Sequence, residues 1–200
     1  MEKFKNLTDE ELVHLVQTQD QELYREIVHR YQNKILRYTT YLTQSESKAA
    51  DVTQETFIKA FVNLQSFDLK KKFSSWLYRI AHNEAINHLK KYQKEISLDG
   101  SPLKEEFVSA ENGVHHNLSQ ELLKKELATS LNKLPLIYRS PLTLFYLEDR
   151  SYEEISDVLR ISIGTVGTRI KRGKKMLAEI WTRSHTKENI SFNSNKERGR

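Results

Sequence analysis

The 200-residue chain contains no cysteine, which excludes disulfides and thiolate metal sites. Only 3 prolines and 6 glycines punctuate it, too few for a turn-rich β architecture. No apolar run approaches the ~20 residues that a membrane span requires. Residues 1–20 carry acids and lack an apolar signal core. The expectation is a cytoplasmic protein without membrane insertion. What the chain does have is 30% charged and 38% apolar residues, the balance of a folded protein with one ordinary domain or two small ones.

The net charge of +5 is unevenly placed. Residues 127–183 hold 10 Lys/Arg against 6 Asp/Glu, whereas residues 96–126 hold 3 against 6. A basic excess in the C-terminal third points to a polyanion there.

The N-terminal half reads as helix after helix. Thr8-Asp9-Glu10-Glu11 is a capping box ahead of Leu12, Leu15 and Val16 at helical spacing. A second helix follows Asp20, with Leu23, Ile27, Tyr31, Ile35 and Tyr38 as its apolar stripe. Ser45 caps a third carrying Ala49, Val52, Phe57, Ala60, Phe61 and Leu64. Residues 65–72 form a loop ending in three lysines, and a fourth helix runs over 73–91. In that helix Phe73, Leu77, Ile80 and Ala81 are the buried candidates, and Ser75, Arg79, Asn83, Ile86 and Lys90 share the opposite face. Aromatics beside cations and amides suit unstacked bases, each stacked base adding ~1–3 kcal/mol, although Trp76 and Tyr78 also fit a core.

Composition changes at Glu95. Residues 95–115 collect Ser, Gly, Pro, Asn and acids without a period, the signature of an interdomain linker. A helix resumes near His116 with Leu118, Leu122, Leu123 and Leu127. Pro135 suits the first turn of the next helix, and Pro141, inside an apolar-periodic run, should kink it. The polar residues 184–200 read as a frayed tail.

Between them lies the firmest motif. Ser151-Tyr152-Glu153-Glu154 is a second capping box, opening a short helix to Leu159 with Ile155, Val158 and Leu159 as its buried face. Arg160-Ile161-Ser162 is a tight connection, and Ser162 caps a second helix. Within it Val166, Ile170, Gly173 and Leu177 form one stripe. Gly164, Thr168, Lys171, Arg172 and Lys175 point the other way, with Thr165 and Arg169 on one flank. Short capped helix, turn, capped helix is a helix-turn-helix, placed here within residues 134–180, and its small-residue end is where a recognition helix enters the major groove. Gly164 and Gly167 each weaken a helix by about 1 kcal/mol relative to Ala, which close approach to DNA would justify. The expected fold is all-α, two small helical domains (1–94 and 118–182) joined by a flexible linker (95–117), with a polar tail at 183–200.

Three runs, in this order, resemble the bacterial RNA polymerase sigma factors of the extracytoplasmic-function subfamily of the sigma-70 family. They are residues 46–61 (ESKAADVTQETFIKAF), 73–91 (FSSWLYRIAHNEAINHLKK) and 131–177 (LNKLPLIYRSPLTLFYLEDRSYEEISDVLRISIGTVGTRIKRGKKML). The likeness covers about residues 8–94 and 118–180. It implies a transcription initiation factor that binds core RNA polymerase at its clamp and flap, reads the −10 and −35 promoter elements and helps melt the duplex. Asp51, Gln54, Glu55 and Phe57 match clamp-contacting positions. Asn63, Ser66, Phe67, Lys70, Lys71 and Lys72 match the loop near the displaced strand. Trp76, Tyr78, Arg79, His82 and Asn83 match the −10 helix. Thr165, Gly167, Thr168, Arg169, Lys171 and Arg172 match the −35 recognition helix, with Lys175 on the same reading face. An anti-sigma factor is the usual further partner of such proteins. Gly167 departs from a position that is commonly Lys or Arg, Arg160 stands where a glycine often makes the turn, and Pro141 interrupts the preceding helix.

The resemblance leaves phosphoryl chemistry to the polymerase, so the chain itself need not be an enzyme, and no cofactor or small-molecule substrate is expected. Metal binding finds little support. His82 and His88 lie six apart, His115-His116 has no nearby cysteine, and Asp51 with Glu55 has no third ligand. The rival reading is a stand-alone helix-turn-helix regulator acting as a dimer, which would have no need of residues 46–91.

Overall fold

The computed structural model describes the backbone of residues 6–99 and 126–197, and the side chains of residues 6–92 and 126–183. Within them every regular element is helical. The helices are α1 (Asp9–Thr18), α2 (Tyr24–Thr43), α3 (Glu46–Asn63), α4 (Phe73–Asp99), α5 (residues 126–132), α6 (Leu136–Tyr146), α7 (Tyr152–Leu159) and α8 (Ile163–Glu197). Short 3₁₀ turns at Gln21–Leu23 and Leu64–Ser66 lead into α2 and follow α3.

The helix starts lie where local chemistry places them. Both oxygens of the capping-box logic are satisfied at Thr8 and at Ser151, and Ser45 accepts the amide of Lys48. The α2 stripe is buried as the period requires: Ile27, Tyr31, Ile35, Tyr38 and Leu42 are at most 4% exposed. They meet Leu12, Val13 and Val16 of α1, Val52 and Ala60 of α3, and Phe73, Leu77 and Ala81 of α4. Each large side chain so buried contributes about 1.5–3 kcal/mol. Three buried threonines in this core bond back to their own helix. Thr39 donates to the Ile35 carbonyl, Thr43 to that of Thr39 and Thr56 to that of Val52.

Two elements of α1 fix the segment that precedes α4. Gln17 Nε2 donates to the carbonyls of Leu64 (2.7 Å) and Phe67 (3.2 Å). Glu10 Oε1 accepts the Phe73 amide at 2.8 Å, capping α4 from another helix. In the C-terminal half α7 and α8 pack on α6 around Leu142, Leu144, Ile155, Val158, Val166 and Ile170.

Several expectations are corrected. α4 does not stop at Lys91 but runs to Asp99, so residues 95–99 continue a helix. The rest of the expected linker, and Leu118, Leu122 and Leu123, lie outside the described residues. The expected frayed tail is helical as far as Glu197. Pro135 is the cap of α6 rather than its first turn, and the helix is not broken at Pro141. The bond that proline removes would go to the carbonyl of Ile137, a residue 53% exposed. Phe61, expected in the core, is exposed, and Ser75, expected on the open face, is buried. In both cases a neighbouring helix, invisible to periodicity, decides which side is covered.

The two halves pack against each other, α2 against α6 and α4 against α7. Across this contact run ion pairs and hydrogen bonds together with apolar packing, since Leu131, Leu134, Leu142 and Leu144 belong to the same buried cluster as the α2 stripe.

Candidate nucleic-acid interface

The recognition helix is built as its pattern requires. Arg160 takes a left-handed conformation (φ 55°, ψ 45°) that ends α7. Ser162 Oγ then accepts the Thr165 amide at 3.2 Å and starts α8. Val166 and Ile170 are buried, and Gly173 lies against α6, where a Cβ would stand 2.8 Å from Leu142 Cδ1. That seating leaves Gly164, Thr168, Lys171, Arg172 and Lys175 exposed, with Thr165, Gly167 and Arg169 half-buried beside them. Nothing lies within 4 Å of a Cβ placed on Gly164, and only the Tyr152 ring approaches one on Gly167, at 3.5 Å. Internal packing therefore does not demand either glycine, and the small-residue end of the helix is open to a ligand.

In the N-terminal half Asp51, Gln54 and Glu55 are exposed together on α3, at i, i+3 and i+4. Phe57 is not with them: its side chain is buried in the core, and its carbonyl accepts the Tyr24 hydroxyl at 2.7 Å.

The loop and α4 sort into two groups. Asn63, Ser66, Lys70, Lys71, Lys72 and Asn83 are exposed. Phe67 is buried, edge-on to Phe73 at 5.6 Å, and Trp76 tilts against both rings at 5.0 and 5.6 Å, half-buried. Lys34, Lys70, Lys71, Lys72 and Arg150 rim an open cleft beside them. The acids on the same rim already have partners within the chain: Asp9 pairs with Arg30 and Tyr31, Glu10 with the Phe73 amide, and Glu154 with Lys72.

Tyr78, Arg79 and His82 are engaged internally. Tyr78 is fully buried, and its hydroxyl donates to Glu148 Oε2 at 2.5 Å. Burial, with the Glu148 charge beside it, raises its pKa above the ordinary tyrosine value. Arg79 Nη1 lies 3.1 Å from Asp157 Oδ1. Burial and the nearby Arg160 cation lower the Arg79 guanidinium below its ordinary value, against the pull of Asp157. His82 Nδ1 stands 3.0 Å from the Tyr38 hydroxyl, and burial pushes the imidazole down to about 4.

Residues that pattern and motif did not single out organise this region. Glu148, with its side chain 1% exposed, accepts Arg37 Nε at 2.8 Å and Nη2 at 3.0 Å as well as Tyr78. Arg150 donates to Ser74 Oγ at 3.0 Å and lies 4.6 Å over the Tyr78 ring. No local signal marks Glu148, which is an acid following a helix in an unremarkable stretch of sequence. Among the described residues no group of three or more His, Asp or Glu is placed to hold a metal ion, and no helix is long and apolar enough to cross a membrane.

A helix-turn-helix with an exposed basic reading face, joined to a second helical unit rimmed by lysines and aromatics, defines a DNA-binding protein with two candidate contact surfaces. The comparisons specify it further. Residues 27–95 match the family described as Sigma-70 region 2, and residues 124–177 match Sigma-70, region 4. The chain is 34% identical over 168 residues to the ECF RNA polymerase sigma factor SigW of Bacillus subtilis, covering 79% of this chain and 88% of that protein. It is 35% identical over 187 residues to the ECF RNA polymerase sigma-E factor of Haemophilus influenzae, covering 86% and 95%. Its fold is similar to that of the sigma factor RpoE from Bartonella quintana, solved in complex with the anti-sigma factor NepR. That likeness has a TM-score of 0.68 at 22% identity and covers 80% of this chain and 96% of the other. The chain belongs to the extracytoplasmic-function RNA polymerase sigma factors.

Proposed function

We propose that this chain binds core RNA polymerase and directs it to promoters. In this reading the exposed face of α3 at Asp51, Gln54 and Glu55 docks on the clamp. The lysine loop and α4 take the −10 element and the displaced strand, and α8 reads the −35 element. The units at 1–94 and 118–182 act as two weak grips joined in one chain, so the second contact forms at high effective concentration. Bond-making is left to the polymerase, and the chain works in the cytoplasm of a bacterium, under an anti-sigma partner.

The observation that carries this reading is the sorting of α8. Val166 and Ile170 are buried, and Thr168, Lys171, Arg172 and Lys175 are exposed on the other side. Small residues near the helix N-terminus suit base edges, and cations further along suit phosphates. A dimeric stand-alone regulator would account for this helix but not for the region 2 match at residues 27–95.

The test is co-elution with core RNA polymerase followed by run-off transcription across a promoter library. The expected result is a stable complex and initiation at a defined subset of promoters. Replacing Asp51 and Gln54 together, both exposed, weakens the complex and leaves the fold intact. Binding to duplex DNA with no binding to the polymerase overturns the reading.

A further inference from the structure

We infer that Thr168 selects a base of the −35 element through its methyl group, which packs on the C5 methyl of a thymine, and that its hydroxyl donates to no base. This rests on the assignment of α8 to the −35 element given above and adds the chemistry by which one side chain discriminates. Thr168 is exposed on the same face of α8 as Gly164, Lys171, Arg172 and Lys175. Its hydroxyl is already committed. Thr168 Oγ1 donates to the Gly164 carbonyl, one turn back, at 2.9 Å. A hydroxyl has a single proton to give, so none is left for the N7 or O6 of guanine or the O4 of thymine. With Oγ1 turned onto the backbone, the methyl holds another staggered position on Cβ and is left to meet a base edge.

The rest of this end of the helix favours the same kind of contact. The other two hydroxyls serve the cap: Ser162 Oγ and Thr165 Oγ1 bond to each other at 2.8 Å, and Ser162 Oγ accepts the Thr165 amide at 3.2 Å. No charged residue precedes Arg169 in α8, and Ile163, its first residue, is 48% exposed. A threonine side chain is short, so it reaches a base edge only where its neighbours let the backbone come close. Gly164 and Gly167 allow that. A Cβ on the first would meet nothing within 4 Å, and one on the second only the Tyr152 ring at 3.5 Å. The thymine methyl is the one apolar group that a base pair presents in the major groove. A methyl contact there tells an A·T pair from G·C without a hydrogen bond, while the cations from Arg169 onward hold phosphates.

The test uses the full-length chain assembled with core RNA polymerase on a promoter taken from the run-off library. The probes are duplexes in which each thymine of the −35 element, on either strand, is replaced singly by deoxyuridine. That exchange removes the C5 methyl and keeps the base pair and the O4 acceptor. Affinity is read by competition gel shift. Two variants divide the side chain: Thr168→Val keeps a methyl and drops the hydroxyl, and Thr168→Ser keeps the hydroxyl and drops the methyl. Thr168 is exposed, so neither disturbs the core, and circular dichroism checks that helical content is retained. One thymine should be found whose replacement weakens wild-type binding about four-fold, the value of one buried methyl group. Thr168→Val should bind the unmodified promoter as wild type does and lose the same factor at that thymine. Thr168→Ser should bind about four-fold more weakly and lose nothing further there, the two deletions being coupled through one contact. The inference is overturned if no deoxyuridine weakens wild-type binding, if Thr168→Ser keeps the wild-type response, or if Thr168→Val is the variant that loses the promoter. A wild-type chain that forms no complex with the polymerase overturns the initiation-factor reading and this inference with it. A complex that selects promoters but shows no thymine response overturns the inference alone.

Discussion

The hydroxyl of Tyr78 on α4 donates to the carboxylate of Glu148, ahead of α7, at 2.5 Å, with both side chains buried. This bond ties the middle of one half of the chain to the other half. Tyr78→Phe removes it while keeping the ring, its edge contact with Tyr38 at 5.3 Å and the Arg150 guanidinium above it. A hydrogen bond to a charged group contributes about 1.5–3 kcal/mol, and leaving a buried carboxylate short of a donor adds to its loss. Faster hydrogen exchange in α4 and α7, with α1 and α3 unchanged, is the expected outcome.

Arg160 is held at φ 55° without being a glycine. An L-residue there carries roughly 1–2 kcal/mol of steric strain, and glycine at such a helix end relieves it. Part of the gain is offset by the greater unfolded-state freedom of glycine. Arg160→Gly should therefore stabilise the helix-turn-helix by about 0.5–1 kcal/mol, read as a higher urea midpoint at an unchanged slope.

The glycines of α8 should respond in opposite directions. Gly173→Ala sets a methyl 2.8 Å from Leu142 Cδ1 and 3.2 Å from both Leu142 Cγ and Tyr138 Cβ. Overpacking of this kind costs about 1–3 kcal/mol, more than the roughly 1 kcal/mol of helix propensity gained. Gly164→Ala meets nothing within 4 Å and should raise stability, while placing a methyl at the reading end of the helix. Thermal unfolding separates the two, and a gel-shift titration of Gly164→Ala reports whether that end approaches DNA closely.

His82 links stability to pH. Burial lowers its pKa from 6.5 to about 4, so the folded state prefers the neutral ring and the unfolded state binds a proton more readily. Its contribution is complete above pH 6.5 and is lost as the pH falls from 6.5 toward 4. The loss is on the order of 3 kcal/mol. Subtracting the pH–stability profile of His82→Asn from that of the wild type should leave a slope confined to this window. A flat difference would mean that the ring is hydrated in solution.

Much of the molecule was legible from the chain alone because its signals are local. Thr8, Ser45, Ser151 and Ser162 cap helices through atoms three residues away, and the stripes of α2 and α8 repeat at the helical period. The exposed α8 face follows from them. What periodicity could not reach was which face of a helix a distant element covers. Phe61 stands exposed, Ser75 is buried, and α4 runs through the composition change at Glu95 as far as Asp99. The sequence by itself determined the helices, their caps and the two candidate DNA-binding segments. Only the tertiary structure decided that Tyr78 and Arg79 are engaged rather than open, because their partners Glu148 and Asp157 lie 70 and 78 residues away. Pairings at that separation form only when two independently patterned surfaces dock.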